Sequence, residues 1–293
     1  MAHVFVAPHP DDAALSCGGL IALLRERGQA VTVLTLFSGT GGAERLTPYQ
    51  REALGFGAEP AGPSAGAPGA PGAGPSAALS DAAAAAGAMA LRRLEDERFA
   101  ALAGVATEFL DLPDAVFRGY EGDAQLFSAP RADDPAPAGL LRRELARLGP
   151  SRVYFPLGVG RHVDHQLARD AGLALLAGDP SWAAPSAGAA ARLAFYEDFP
   201  YAHRVGFAGL GDLPPGALAA LPAGVSLEAE YVDVAGALER KVGGVARYES
   251  QMDRLFGGAG AMAEAVRAYA TRVAAAGSVP SGAAERYWAP RRA

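Results

Sequence analysis

At 293 residues the chain has room for one large domain or two ordinary ones. Half of it is apolar, a fifth is charged and the net charge is −6, and no block of Lys and Arg could track a phosphate backbone, so no nucleic-acid partner is expected. No apolar run approaches the ~18 residues that span a bilayer, the N-terminus lacks the order of a signal peptide, and Cys17 stands alone, so there is no intramolecular disulfide and no thiolate zinc knuckle. A cytoplasmic protein is expected.

Residues 3–7 (HVFVA) read as a short buried strand, 13–27 as an amphipathic helix closed by Gly28, and 31–36 (VTVLTL) as a second strand. Strand, helix and strand at this spacing make a βαβ unit with a parallel pair. The stretch 57–86 is nearly all Ala, Gly, Pro and Ser and reads as a mobile surface insertion, because it cannot bury enough to offset its ordering entropy. Helices are expected at 87–103 and 137–148, with strands at 105–110 and 152–156. A helix then opens within GVGRHVDHQLARDAGLALLA (158–177). Strands near 192–196 and 227–233, a long loop around 208–224, and helices at 235–255 and 259–276 complete the chain. This alternation predicts an α/β fold with a mostly parallel central sheet, whose ligands sit beyond the carboxyl ends of the strands.

Two polar clusters fall on that edge. Pro8-His9-Pro10-Asp11-Asp12 follows the first strand, and His162-Val163-Asp164-His165 follows the strand at 152–156. Either aspartate of the first could simply cap the helix behind it. However, three of the five histidines lie in these two clusters. His9, Asp12 and one of the later histidines would make a two-histidine, one-carboxylate set, the kind that holds catalytic zinc and leaves a position open for water. The donors suit Zn²⁺ and leave Fe²⁺, Mn²⁺ and Co²⁺ open. Asp11 could then take a proton from water, and the second histidine could stabilise an oxyanion or protonate a leaving amine.

The ordered pair of motifs resembles the zinc-dependent N-deacetylases of the PIG-L/LmbE family, which includes the N-acetylglucosaminyl-phosphatidylinositol, mycothiol-precursor and bacillithiol-precursor deacetylases. The likeness continues in RRLED (92–96), LPDAVFRGY (112–120), FYEDFPY (195–201) and KVGGVARYESQ (241–251). The resemblance implies a Rossmann-like three-layer domain over the whole chain. It implies His9, Asp12 and His165 as zinc ligands, Asp11 as general base, and His162 as the residue that stabilises the tetrahedral intermediate or protonates the amine, with Asp164 orienting it. Ala13 replaces a frequent Glu, and Val163 a frequent Pro; neither position supplies a ligand or the base.

Arg93 and Asp114 lie in family-like segments and could bind sugar hydroxyls, although Arg93 could equally pair with Glu97. Arg45 sits on the correct edge for a polar ligand, and Tyr201 and His203 could line the mouth. Glu197 and Asp198 could support the zinc histidines or belong to a solvated loop. Cys17 reads as a core residue, and Ser16 lacks a nucleophile elbow. The expected function is hydrolytic removal of acetyl from an N-acetylated amino sugar or N-acetylglucosamine conjugate, giving acetate and a free amine. The alternatives are a thiol-conjugate amidase of the same family and a non-catalytic sugar-phosphate or nucleotide binder using SGTGG (38–42). The partner is a small amino-sugar conjugate, and a homo-oligomer stays open.

Overall fold

The computed structural model describes residues 1–56, 80–184 and 190–292. Most of the expected insertion at 57–86 lies outside the described residues. Its last part does not: helix runs through Asp81–Ala103 (α3), starting where Ser80 accepts the Ala83 N–H. Alanine, read above as low complexity, is also the strongest helix former, so the helix extends back to the first good cap.

A seven-stranded sheet organises the chain, with β1 (Ala2–Ala7), β2 (Ala30–Gly39), β3 (Ala106–Pro113), β4 (Arg152–Pro156), β5 (Leu193–Tyr196), β6 (Val225–Asp233) and β7 (Ala284–Arg292). The spatial order is β3-β2-β1-β4-β5-β7-β6. The first five strands are parallel, and β7 runs antiparallel to both of its neighbours. Strand β1 is central, and its Val4, Phe5 and Val6 are buried. Helices cover both faces, α1 (Asp12–Glu26) packing with α3 and α8 (Leu238–Val245), and α5 (Ala138–Leu148) with α6 (Val163–Gly178). This is the expected three-layer α/β architecture. Among the described residues, no helix is long and apolar enough to cross a membrane.

The order reverses at β1: chain progress runs outward through β2 and β3 on one side, then through β4 and β5 on the other. A crevice opens at such a reversal, beyond the strands' carboxyl ends. His9 leaves β1 there and His162 leaves β4 there. Two features depart from the sequence expectation. The helix expected over 235–255 is divided into a 3-10 turn at Ala235–Ala237, α8, and α9 (Glu249–Phe256), with Tyr248 at the break. Strand β7, not anticipated, inserts between β5 and β6 although it follows both β6 and α10 (Ala259–Ala276) in sequence.

Helix α1 is buried on nearly every side, because α8 covers the face that the sheet does not. Gly19 makes this possible: a Cβ there would lie 2.8 Å from both Glu285 Oε1 and Val234 Cγ1.

Candidate active site

Pro8, at the end of β1, accepts the Phe37 N–H of the neighbouring strand at 2.8 Å, which fixes where the loop begins. The chain then turns sharply into α1. Asp11 occupies the N-cap position at φ 106°, ψ −35°, yet its side chain caps nothing. Asp12 Oδ2 instead accepts the His9 backbone N–H at 2.8 Å. Helix capping by either aspartate is therefore not the reason for this motif.

On the facing element, Gly160 adopts φ +85°, and a Cβ there would lie 2.5 Å from Tyr201 Cβ. Glycine is needed at that turn on both counts. It delivers His162 as the N-cap of α6, with its Nδ1 accepting the Asp164 N–H at 3.3 Å. His165 follows one turn into the helix.

The two clusters meet at Asp12. Its Oδ2 lies 3.3 Å from His9 Nδ1 and 3.4 Å from His165 Nε2. The far nitrogen of each imidazole is held by another carboxylate: His9 Nε2 by Asp164 Oδ2 at 2.9 Å, and His165 Nδ1 by Asp198 Oδ1 at 2.6 Å. Carboxylates in that position orient metal-binding histidines and raise their basicity. Among the described residues, His165 Nε2 is buried without a hydrogen-bond partner. His162 joins the same cluster, with one ring nitrogen of each of His9, His162 and His165 within 4.8 Å of the others. A second grouping, His9, Asp114 and Asp164, is compensated by guanidiniums instead, since Arg92 reaches Asp114 at 3.4 Å and Arg118 reaches Asp164 at 2.7 Å.

The electrostatics suit a cation. Burial opposes the charged form of His9, but Asp114, Asp12 and Asp164 prevail and raise its pKa to about 10. Burial likewise opposes ionised Asp12, and His165 and His9 hold it down at about 2. A field that draws a proton onto a buried imidazole is one that a divalent cation satisfies. The donors are nitrogen and carboxylate oxygen without thiolate, so the residues fit the zinc expected from the sequence.

Asp11 is different. Burial, with Asp12 adding repulsion, raises its pKa to about 7 in spite of Arg92, whose Nη2 is 3.5 Å from Asp11 Oδ2. Burial pushes His162 well below the ordinary histidine value, as does the His9 charge. Because His162 Nδ1 accepts a backbone N–H, the hydrogen of the neutral ring is on Nε2.

These groups open on a cavity of about 300 Å³, which Leu126, Phe127 and Tyr201 also line. Tyr201 packs edge-on to His165 with ring centroids 5.3 Å apart. Asp114 lines the cavity and caps the following turn through the Val116 N–H at 3.0 Å.

The remaining expected site residues fall as follows. Arg93 lies outside the cavity lining: it donates to the Ser38 carbonyl and pairs with Asp111. Its neighbour Arg92 lines the cavity and bridges Asp11 to Asp114. The buried stripe Ala85, Met89, Asp96 and Phe99 puts position 92 on the inner face of α3, and that helical spacing was the signal available in the sequence. Arg45 is exposed and outside the cavity lining, because the chain after β2 turns outward before α2 (Pro48–Ala53). The Asp164 carboxylate does not orient His162; it holds His9, the Ala115 N–H and Arg118, and only its backbone N–H reaches His162. A protonated His162 is disfavoured by its burial. Glu197 does not support the histidines, being bound to Arg286, Trp288 and Tyr269. His203 does not line the cavity, packing instead against Phe199 and Tyr269. Cys17 is buried, and Ser16 Oγ accepts the Phe199 N–H at 3.1 Å, a structural role.

The chain is similar to known proteins in sequence and in fold. The family model PIG-L, described as GlcNAc-PI de-N-acetylase, matches residues 4–176, a span that holds both polar clusters. The 2'-N-acetylparomamine deacetylase of Streptomyces fradiae is 31% identical over 255 residues, 85% of this chain and 73% of that protein. Its counterpart from Niallia circulans is 29% identical over 218 residues, covering 68% of this chain and 67% of the relative. Among solved structures, the zinc-inhibited form of the teicoplanin deacetylase Orf2 superposes with a TM-score of 0.69 at 22% identity, covering 100% of this chain and 99% of that one. The A40926 pseudoaglycone deacetylase Dbv21 gives a TM-score of 0.67 at 24% identity over 99% and 97% of the two chains. With the two clusters brought together at the sheet's switch point and the family pattern running through both, the chain belongs to the PIG-L family of de-N-acetylases.

Proposed function

We propose that the chain hydrolyses the acetamide of an N-acetylated amino sugar or its conjugate, releasing acetate and the free amine, as a single catalytic domain in the cytoplasm. His9, Asp12 and His165 hold a zinc ion, and Asp11, His162, Arg92, Asp114 and Tyr201 act around it. The observation that carries this reading is the convergence of His9 Nδ1 and His165 Nε2 on Asp12, each ring backed by its own carboxylate. The relatives from Streptomyces fradiae and Niallia circulans are 2'-N-acetylparomamine deacetylases, which supports the substrate class.

Zinc, when bound, supplies a Lewis acid for the acetyl carbonyl and acidifies water. The chain's own residues do the rest. Asp11, with a pKa near 7 and no capping duty, takes a proton from the water that attacks the carbonyl carbon. His162 donates Nε2–H from a neutral ring to the oxygen that becomes negative. The proton held by Asp11 passes to the sugar nitrogen as the C–N bond breaks, so that water's oxygen ends in acetate and its hydrogens are shared between the products. Arg92 and Asp114 face the cavity as a donor and an acceptor for sugar hydroxyls, and Phe127 and Tyr201 provide apolar walls.

Acetate release from N-acetylglucosamine conjugates, assayed with and without a chelator and restored by zinc, tests the proposal. Turnover that persists at full rate in metal-free protein would sink it.

A further inference from the structure

Asp96 takes no part in the steps above, yet it stands directly behind Asp11. It is 2% exposed and belongs to α3. Its Oδ1 accepts the Tyr248 hydroxyl at 2.6 Å, and its Oδ2 accepts Thr35 Oγ1 at 3.2 Å and Thr107 Oγ1 at 3.3 Å. The backbone N–H of Asp11 also faces it closely enough to favour its ionised form. The three hydroxyls come from β2, from β3 and from the break between α8 and α9, so the carboxylate is fixed from three directions.

Asp11 needs such support. A non-glycine residue at φ 106° is in a sparsely populated region and persists only where its surroundings impose the conformation. The Asp11 side chain makes no cap bond that would stabilise the turn. Helix α3 instead grips the loop at two points one turn apart. Arg92 Nη2 donates to the Pro10 carbonyl at 3.2 Å, and the Asp96 carboxylate faces the next N–H along the chain, that of Asp11. The adjacent Glu95 accepts the Ser250 N–H at 2.7 Å and the Ser250 hydroxyl at 2.6 Å, so α3 also anchors α9, whose Gln251, Arg254 and Leu255 line the cavity.

We propose that Asp96, braced by Tyr248, is a positioning residue that holds the Asp11 backbone in its strained turn and so aims the Asp11 carboxylate at the attacking water. This rests on the reading of Asp11 as the base. Zinc-loaded, folded Asp96→Ala should lose kcat by about ten- to a hundredfold with KM and zinc content unchanged, since small misplacements of a reacting group carry costs of that order. Asp96→Asn keeps an oxygen for the Asp11 N–H and should recover most of the loss. In an Asp11→Ala background, Asp96→Ala should leave the residual rate unchanged. Unaltered kcat in Asp96→Ala, or an equal loss in the Asp11→Ala background, would overturn the positioning role. Should Asp96→Ala not fold, Tyr248→Phe carries the test: a two- to fivefold drop in kcat at constant KM supports the brace, and no drop overturns it. Full activity in Asp11→Ala would remove the base assignment itself, whereas an inactive Asp11→Ala beside an unaffected Asp96→Ala would remove only the positioning role.

Discussion

His165 Nδ1 and Asp198 Oδ1 lie 2.6 Å apart in a pair that solvent hardly reaches, with side chains 1% and 0% exposed. The other oxygen of Asp198 accepts the Val159 N–H at 2.8 Å, so one carboxylate fixes both the ring of a proposed zinc ligand and the turn leading to it. Asp198→Ala should weaken zinc binding by about ten- to a hundredfold, the usual cost of removing such a partner. Competition with a metal-sensitive chelator measures this directly, and unaltered affinity would show that the pair serves folding alone.

Removing a ligand and removing the base should separate cleanly. His165→Ala should lose its zinc, whereas Asp11→Ala should retain it and lose about 10²- to 10⁴-fold in kcat, the range for general-base catalysis. Metal analysis beside acetate release gives both answers. Stoichiometric zinc in His165→Ala would sink the ligand assignment.

The same contrasts show what was legible in the chain. Strand, helix and motif order placed His9, Asp11, Asp12, His162 and His165 on one edge, because βαβ connectivity leaves little choice about where their loops emerge. Which residue of a pair faces inward was harder. At Arg92-Arg93 helical spacing decides it, and at Glu197-Asp198 the extended chain sends neighbours to opposite sides. Strand β7 was not anticipated: its Pro290 lacks the N–H that a ladder needs and argues against a strand there. The pairing of β7 with β5 reaches only to Trp288, so the proline breaks no bond on that side.

Beneath the site, Lys241 Nζ donates to Glu285 Oε1 at 2.7 Å and to the Ser16 carbonyl at 3.1 Å. Glu285 also accepts the Gly19 and Leu20 N–H groups at 2.9 Å inside α1. Both side chains are at most 6% exposed. Lys241→Met would leave that carboxylate buried without its cation and should cost about 3–5 kcal/mol of stability. Denaturant unfolding measures it. A change below about 1 kcal/mol would mean that the helix N–H groups and the Tyr287 hydroxyl satisfy Glu285 without the lysine.

At the opposite end of β1, His3 sits between Gln29 and Tyr154, and burial lowers its pKa below the ordinary 6.5 despite the Gln29 bond. The folded state therefore binds fewer protons than the unfolded chain below about pH 6.5. Its contribution is fully present above that pH and declines as the pH falls toward the folded value. Melting temperature should drop less between pH 6.5 and 5 in His3→Gln than in the parent, and parallel profiles would refute the assignment.

The cavity's charge is divided. Asp11, Asp12 and Asp114 line it beside the histidines, whereas the exposed Arg204 and Arg254 line it together with Asp123. Arg204 donates to the Leu255 carbonyl and Arg254 to the Ala53 carbonyl, and among the described residues neither forms an ion pair with a carboxylate. Asp123 is already occupied as acceptor of the Tyr49 hydroxyl at 2.9 Å. Two guanidiniums at the rim repel a polycationic sugar and attract an acidic one, and exposed ion pairs contribute about 0.2–1 kcal/mol each. Deacetylation of an N-acetylglucosaminide with a carboxylate or phosphate aglycone should exceed that of a neutral analogue by roughly five- to tenfold in kcat/KM, and an amino-bearing analogue should be the poorest. The Arg204→Gln/Arg254→Gln double variant should erase the ranking while leaving the neutral substrate unchanged, and added salt should compress it. Equal rates for all these substrates in the parent enzyme would leave the rim arginines with no part in selectivity.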